Sequence, residues 1–534
     1  MSSSAQTIAY QQTGFFTEIV NCYLQGDARL EPFFRYTPDW QGLEKALKER
    51  ENFPVDRLLL TEVLRMQYEN CMPVPAVLNN IERLTMTNTF TVTTAHQPNL
   101  FTGPLYFIYK CLHTIQLANQ LQHRFPANNF VPVYYMGSED ADLEEIGQLN
   151  VGGIKMAWKT NQTGAVGRMK VDQPLLDIIA SIEGQTGVEK WGKELTDLWR
   201  RCFVKGKTIA DATRELVHSL MGQYGLVVLD ADHPRFKQAI VPVLLKELTT
   251  QFSHEAVADS ISQLSRFFKV QAAGREINLF YLINDRRERL EKDGNEFTVP
   301  ALQLRFTKEE METELITYPD RFSPNVILRG VLQESLLPNI AFIGGGGELA
   351  YWLELLPVFQ AAGSFFPVLL LRNSFLLMTD QQANKWQQTG FVIGDLFTKT
   401  ESLLSLLAKR EAKIPLQVED EKKSLLAVYD DIRNKAAAVD STLLPHVEAL
   451  EKSALEKLDA LEKKMLRAEK RKHAESFYRI QLIKDQLFPG GGLQERTDNM
   501  ALWYAHFGKQ WIQSILDHSE PITNGFTVLT CREN

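Results

Sequence analysis

Phe90–Ala95, FTVTTA, runs directly into His96-Gln97-Pro98-Asn99. Past Thr102 and Gly103 comes Tyr106–Leu121, where Ile108, Leu112, Ile115, Leu117 and Leu121 recur at helical spacing. A short β-branched and aromatic run reads as a buried strand, and apolar residues three and four apart read as one face of a helix. Strand, polar turn and helix in that order open a βαβ unit. Four more strand-like runs follow: Val131–Met136 (VPVYYM), Leu226–Asp230 (LVVLD), Ile277–Ile283 (INLFYLI) and Phe366–Leu371 (FPVLLL), with helical patterns between them. Such alternation predicts an α/β fold with a Rossmann-like parallel sheet, in which ligands bind beyond the carboxyl ends of the strands.

At 534 residues the chain exceeds one hydrophobic core and is expected to divide. The core is expected in three parts, 1–149, 209–270 and 324–400, the last holding a glycine-rich loop. Two insertions, 150–208 and 271–323, interrupt it. The first carries VGGIK, AWKT and TGAVGRMKV, which read as short strands followed by an amphipathic helix; the second carries a hairpin signal at Asp293-Gly294. An arm is expected over 401–486 and a segment returning to the core over 487–534.

The arm is the most regular stretch. Leu425, Tyr429, Ile432, Ala436, Val439 and Leu443 alternate spacings of four and three, as do Ala454, Leu458, Leu461, Met465 and Ala468. Asp440-Ser441-Thr442 can cap a new helix, with Pro445 in its first turn. Two helices around a tight turn predict an antiparallel coiled-coil hairpin.

Composition narrows the function classes. With 44% hydrophobic and 23% charged residues the chain is ordinary for a globular protein, and a net charge of −8 gives no general field for nucleic acid or an anionic membrane, although a local basic cleft is compatible with it. MSSSAQTIAY does not read as a signal peptide, and no apolar run approaches the roughly 20 residues that span a bilayer. Five scattered cysteines without CxxC or Cys/His spacing predict neither disulfides nor a zinc site, so the cytoplasm is the expected location.

Four constellations could carry chemistry. The turn after the first strand holds His96, Gln97, Asn99, Thr102 and Gly103 at a helix start, where free amides favour anions. GSEDADLEEI (137–146) clusters Glu139, Asp140, Asp142, Glu144 and Glu145 at a strand end, more acid than helix capping needs and suited to Mg²⁺, an ammonium or sugar hydroxyls. Gly344–Gly347 follow the strand-like IAFI and precede Glu348 and Trp352; consecutive glycines let backbone amides approach a ligand closely. Arg329, Gln333 and Glu334 lie upstream of them. Arg372 and Asn373 end the last strand, where an arginine can hold a carboxylate or phosphate with two bonds.

TGPLYFIYK (102–110), SEDADLEEI (138–146), NVILRGVLQESLLPNIAFIGGGGELAYWLEL (325–355), and LEKKMLRAEKRKHAES (461–476) followed by GGLQER (491–496) together resemble the bacillithiol cysteine-adding enzymes, the BshC family. The resemblance implies a Rossmann-like core related to nucleotidyltransferases, two connecting insertions and a coiled-coil arm that forms a homodimer. It implies a ligase that joins the carboxyl of L-cysteine to the amine of glucosaminyl malate, giving bacillithiol. Many members have Gly-Gln-Gln in place of Ala95-His96-Gln97, and members often carry histidine at Ala141 and proline at Gly346. His96, Asp140, Asp142 and Glu145 are then the acid–base candidates.

A free carboxylate is a poor electrophile, so amide formation implies activation, most simply by ATP with Mg²⁺ through an acyl-phosphate or acyl-adenylate. Gln97, Asn99, Thr102 and Gly103 would form one side of the pocket, and Gly344, Gly345, Gly346, Gly347, Glu348 and Trp352 the other. Glu139 would hold amine, sugar or metal. Arg329 or Arg372, flanked by Gln333 and Asn373, would meet the malyl carboxylates. No metal ligand is assigned. A nucleotidyl- or glycosyltransferase would use the same surface, whereas a coiled-coil scaffold would need no pocket.

Overall fold

The computed structural model describes residues 1–271, 274–412, 415–522 and 525–533. Residues 272–273 of the expected second insertion, 413–414 of the expected arm, and 523–524 and 534 of the final segment lie outside the described residues. The chain forms two compact units, Met1–Leu377 with Gly492–Asn534, and Met378–Gly491.

Five parallel strands form the core of the first unit: β1 (Thr89–His96), β2 (Asn129–Met136), β3 (Val227–Asp230), β4 (Asn339–Gly344) and β5 (Val368–Leu371). Their spatial order is β5-β4-β1-β2-β3. The threonines of FTVTTA suit this central position. Their branched carbons fill a two-faced core, and their hydroxyls find internal partners, as where Thr94 Oγ1 donates to the Ile343 carbonyl at 2.8 Å. Helix α1 (Tyr106–Arg124) follows β1 and buries Ile108, Leu112, Ile115 and Leu117. The strand order reverses at β1, so its carboxyl end and that of β4 flank a switch point, where open α/β sheets bind ligands.

Three strand readings differ from the structure, AWKT among them, since only its Ala157 lies in a strand. Ile277–Ile283 contributes Leu279–Ile283, which pairs antiparallel with Arg286–Arg289 and Phe322–Pro324 outside the parallel sheet. Asn284 and Asp285 both take positive φ (50° and 55°), the two-residue turn that returns a chain directly on itself, whereas a parallel neighbour needs a long crossover. TGAVGRMKV forms a 3-10 turn at Val166–Arg168 instead of a strand. Its amides are taken by another segment: Val166 N–H donates to the Asp140 carbonyl and Gly167 N–H to the Ser138 carbonyl, both at 2.8 Å. VGGIK lies in the hairpin Gln148–Val151/Ile154–Ala157, while two helices, Gln173–Thr186 and Gly192–Cys202, stand where one was expected. The Asp293-Gly294 hairpin forms between Glu291–Asp293 and Glu296–Val299, with Gly294 at φ 64°.

The second unit contains helices α2 (Glu419–Val439) and α3 (Leu444–Lys472), with Pro445 in the first turn of α3 and the Asp440 carboxylate accepting from Thr442 N–H at 2.9 Å. Lys422 reaches Asp459 and Glu462 at 2.8 and 3.1 Å, and Arg433 reaches Glu451, so the pair is antiparallel. Among the described residues no helix is long and apolar enough to cross a membrane.

Candidate active site

A cleft of about 1050 Å³ opens at the switch point, within the first unit. Ala95–Gln97 at the end of β1, Gly137 and Asp140 after β2, Gly345–Glu348 after β4 and Arg372 after β5 line it, with side chains from both insertions and from Arg496 and Thr497.

The acidic turn is mostly neutralised by the protein. Glu139 is buried against Lys237, whose ammonium also donates to the Phe322 carbonyl at 2.7 Å and lies 3.7 Å from Asp232. Burial brings the Lys237 ammonium down to about 7. Asp140 is gripped by the Arg329 guanidinium, with Nη1 2.9 Å from Oδ2, and Arg287 stands 3.6 Å from Oδ1. Burial raises the Asp140 carboxyl, but the Arg329 charge outweighs it and holds the group below the usual carboxylate range. Asp142 caps the short helix Leu143–Ile146, accepting from Glu145 N–H at 3.1 Å. Glu144 and Glu145 line the cleft without an ion pair among the described residues. Partial burial, then the Asp142 and Asp140 charges, raise the Glu145 carboxyl.

On the β1 side, the His96 ring lies near Tyr106 and Phe107, with centroids 5.3 and 5.6 Å away, and its Nε2 is buried without a partner among the described residues. Burial and then the Lys110 charge push its pKa well below the ordinary value, so the ring is neutral. Gln97 and Asn99 line the cleft, and Asn99 Oδ1 is likewise buried and unpartnered. Thr102 and Gly103 are buried and absent from the lining; they shape the loop. Phe101, Thr102 and Gly103 take successive positive φ values of 49°, 74° and 62°, a strained run. Asn499 Nδ2 holds it, donating to the Phe101 and Gly103 carbonyls at 2.9 and 2.7 Å.

Of the four glycines, Gly344 serves packing: a Cβ there would lie 2.9 Å from the Phe342 ring. Gly345–Gly347 line the cleft at ordinary φ, and a Cβ on Gly347 would meet nothing within 4 Å. The protein's own packing does not require glycine at Gly347. Glu348 turns back to accept from Gly345 N–H at 2.8 Å and from Lys110 Nζ at 2.6 Å, and Lys110 also donates to the Ala95 carbonyl at 2.7 Å. A buried lysine thus ties β1 to β4, and a carboxylate already occupies the first loop amide. Trp352 is buried and stacks on Phe342, centroids 4.3 Å apart; Gln333 is buried and donates to Glu334 at 3.0 Å. Arg372 borders the cleft but is clamped by Glu495 at 2.7 and 2.9 Å, while Asn373 is buried, donating to His113 and to the Glu520 carbonyl at 3.1 Å. Trp352, Gln333, Asn373, Glu139 and Asp142 are outside the lining.

Two family models divide the chain between them. The N-terminal Rossmann-like domain of bacillithiol biosynthesis BshC matches residues 3–373, and the C-terminal coiled-coil domain of the same protein matches 375–531. The chain belongs to the BshC family. A relative from Flavobacterium johnsoniae, named "Putative cysteine ligase BshC", is 38% identical over 98% of this chain and 99% of its own. Relatives of the same name from Flavobacterium psychrophilum and Christiangramia forsetii are each 36% identical over 98% of both chains. The junction between the two family domains falls beside the division of the structure at Leu377.

Residues that sequence reasoning passed over complete the cleft of this family member. Lys110 was legible as the one charge within an apolar helical run. Lys155, Arg275, Arg287 and Arg289 carry no linear signal, because the insertions deliver them, while Tyr106 at the start of α1 and Arg496 in the final segment lie in quoted motifs but were not singled out. Lys155, Arg275, Arg289 and Arg496 form no ion pair among the described residues, so the cleft is locally basic in an acidic chain. Among the described residues no cluster of three or more His, Cys, Asp or Glu side chains could hold a metal ion.

Proposed function

We propose that this cleft joins the carboxyl of L-cysteine to the amine of glucosaminyl malate, forming bacillithiol as a carbon–nitrogen ligase. The observation that carries the reading is the meeting of a proton-accepting carboxylate with cations that have no counter-ion among the described residues, in a chain aligned over 98% of its length with relatives named as cysteine ligases. Glu145, with its raised pKa, suits removal of a proton from the attacking ammonium. The Asp140–Arg329 pair holds the strand end rigid, and neutral His96 offers Nε2 to a ligand.

Activation of the cysteine carboxylate by ATP is part of the reading, as is a relation of the Rossmann-like core to nucleotidyltransferases. Arg275 and Arg289 suit the phosphates better than the first amide of the glycine loop, where Glu348 would repel them. Glu144 is the free carboxylate that fits Mg²⁺, which needs one or two beside phosphate oxygens, and Glu145 is left for the proton. Cysteine reacts through its carboxyl, so the thiol stays free. All five cysteines of the chain are free thiols, which suits a cytoplasmic setting. Ile432 and Leu461 remain 40% and 47% exposed on the helical pair, and a second copy of the chain would cover them.

The test is product analysis by mass spectrometry after incubation with glucosaminyl malate, cysteine, Mg²⁺ and ATP. A new amide between cysteine and the amino sugar is expected. Nucleotide or sugar transfer without that amide would instead favour a transferase, and no bacillithiol under any nucleotide condition would overturn the reading.

A further inference from the structure

The acceptor in this reading carries its amine and two carboxylates only a few bonds apart, because the malyl group sits on the ring carbon beside the amine. The wall that receives it must set a proton-accepting carboxylate beside two cations. We propose that Lys155 and Arg496 form this dicarboxylate clamp, next to Glu145; the proposal rests on the ligase reading and assigns its acceptor subsite.

Both cations line the cleft and neither forms an ion pair among the described residues. Arg496 lies in a segment held on both sides. Glu495 is fully buried on Arg372, and Gln494 accepts from Leu377 N–H at 2.9 Å. Asn499 secures the strained 101–103 backbone. A cation mounted on so fixed a segment, yet left without a counter-ion, is organised in advance for an anion. The same segment meets the hairpin that carries Lys155: Asn499 N–H donates to the Asn150 carbonyl at 2.9 Å, and Asn150 is the cross-strand partner of Lys155. Partners across an antiparallel pair share a face with Cβ atoms about 5 Å apart.

The acid side is adjoining. Leu143–Ile146, which carries Glu144 and Glu145, runs directly into this hairpin at Gln148. The Tyr106 hydroxyl on the cleft floor feels both sets: burial, then the Glu348 and Glu145 carboxylates, push it up to about 12 against the pull of Arg372 and Arg496. Arg275 and Arg289 belong to a different wall, which they share with Phe280 and an adjoining cavity of about 410 Å³. Two anionic demands, phosphate and dicarboxylate, thus meet two separate pairs of cations.

Binding of glucosaminyl malate and of its dimethyl ester to the full chain, measured by calorimetry, tests the clamp. Arg496→Gln and Lys155→Gln should each weaken binding of the diacid about tenfold or more, since charged hydrogen bonds are at stake. The ester should bind wild type and variants alike. In turnover the loss should appear in KM for the acceptor and not for cysteine, and Arg496→Lys should restore part of it. Wild type that prefers the diacid while both variants bind it equally well would overturn the clamp alone. Wild type that shows no preference for the diacid, or does not bind it, would overturn the clamp together with the acceptor reading of the cleft.

Discussion

The Arg329 guanidinium holds both oxygens of Asp140, and through them joins the helix Val326–Leu336 to the end of β2. This decides how the acidic turn is read. A carboxylate at a strand end with two arginines on it is a structural anion first, because its charge is already spent on the protein.

Asp140→Ala should therefore destabilise the fold strongly. It leaves Arg329 and Arg287 without their counter-charge, which for a buried pair costs about 3–5 kcal/mol. Asp140→Ala/Arg329→Met should recover part of that loss in denaturant unfolding. A fully stable Asp140→Ala protein without activity would instead make Asp140 a reacting group.

The glycine loop divides into two halves with opposite behaviour. Gly344→Ala should cost about 1–3 kcal/mol through overpacking against Phe342. Gly347→Val should melt close to wild type, because its Cβ meets open space, yet it should lose ligand binding. Normal binding by a stable Gly347→Val protein would remove the loop from the site.

Glu334 gives a pH signature distant from catalysis. Burial raises its carboxyl to about 7, only partly countered by Arg50, Asn339 and Gln333. The folded state then binds this proton more tightly than the unfolded state, so stability is greatest below the unfolded pKa and falls as pH rises through about 7. Glu334→Gln stays neutral throughout. Its stability relative to wild type should increase between pH 5 and pH 8 by up to about 3 kcal/mol, from 1.36 kcal/mol per pKa unit. A constant difference across that range would show that Glu334 is ionised in the fold.

Ile432→Asp with Leu461→Asp tests the second copy. Both side chains are more than a third exposed, so the helices should persist while light scattering shows monomers in place of dimers. An unchanged dimer would place the contact elsewhere.

The sequence by itself determined what depends on neighbours along the chain. FTVTTA and VPVYYM are strands because branched and aromatic side chains suit a sheet buried on both faces, and 3.6-residue periodicity marked α1. Spacings of four and three, with a capping aspartate and an early proline, specified the helical pair. Likewise the turns after β1, β2 and β4 were visible as the places where ligands meet such sheets. INLFYLI was misplaced because an apolar run states that a strand is buried but not which sheet receives it; the Asn284-Asp285 turn settled that. The N-terminal strand Ser2–Ala9 escaped notice since its polar run shows no alternation, and its partner lies at Gly525–Arg532. Only the tertiary structure decided which charges are free. Glu139, Asp140 and Arg372 looked available, but Lys237, Arg329 and Glu495 neutralise them from distant parts of the chain, whereas Lys155 and Arg496 looked ordinary and stand in the cleft without an ion pair among the described residues. Whether a charge can meet a ligand depends on its counter-ion, and a counter-ion is fixed by proximity in space, which linear spacing does not encode.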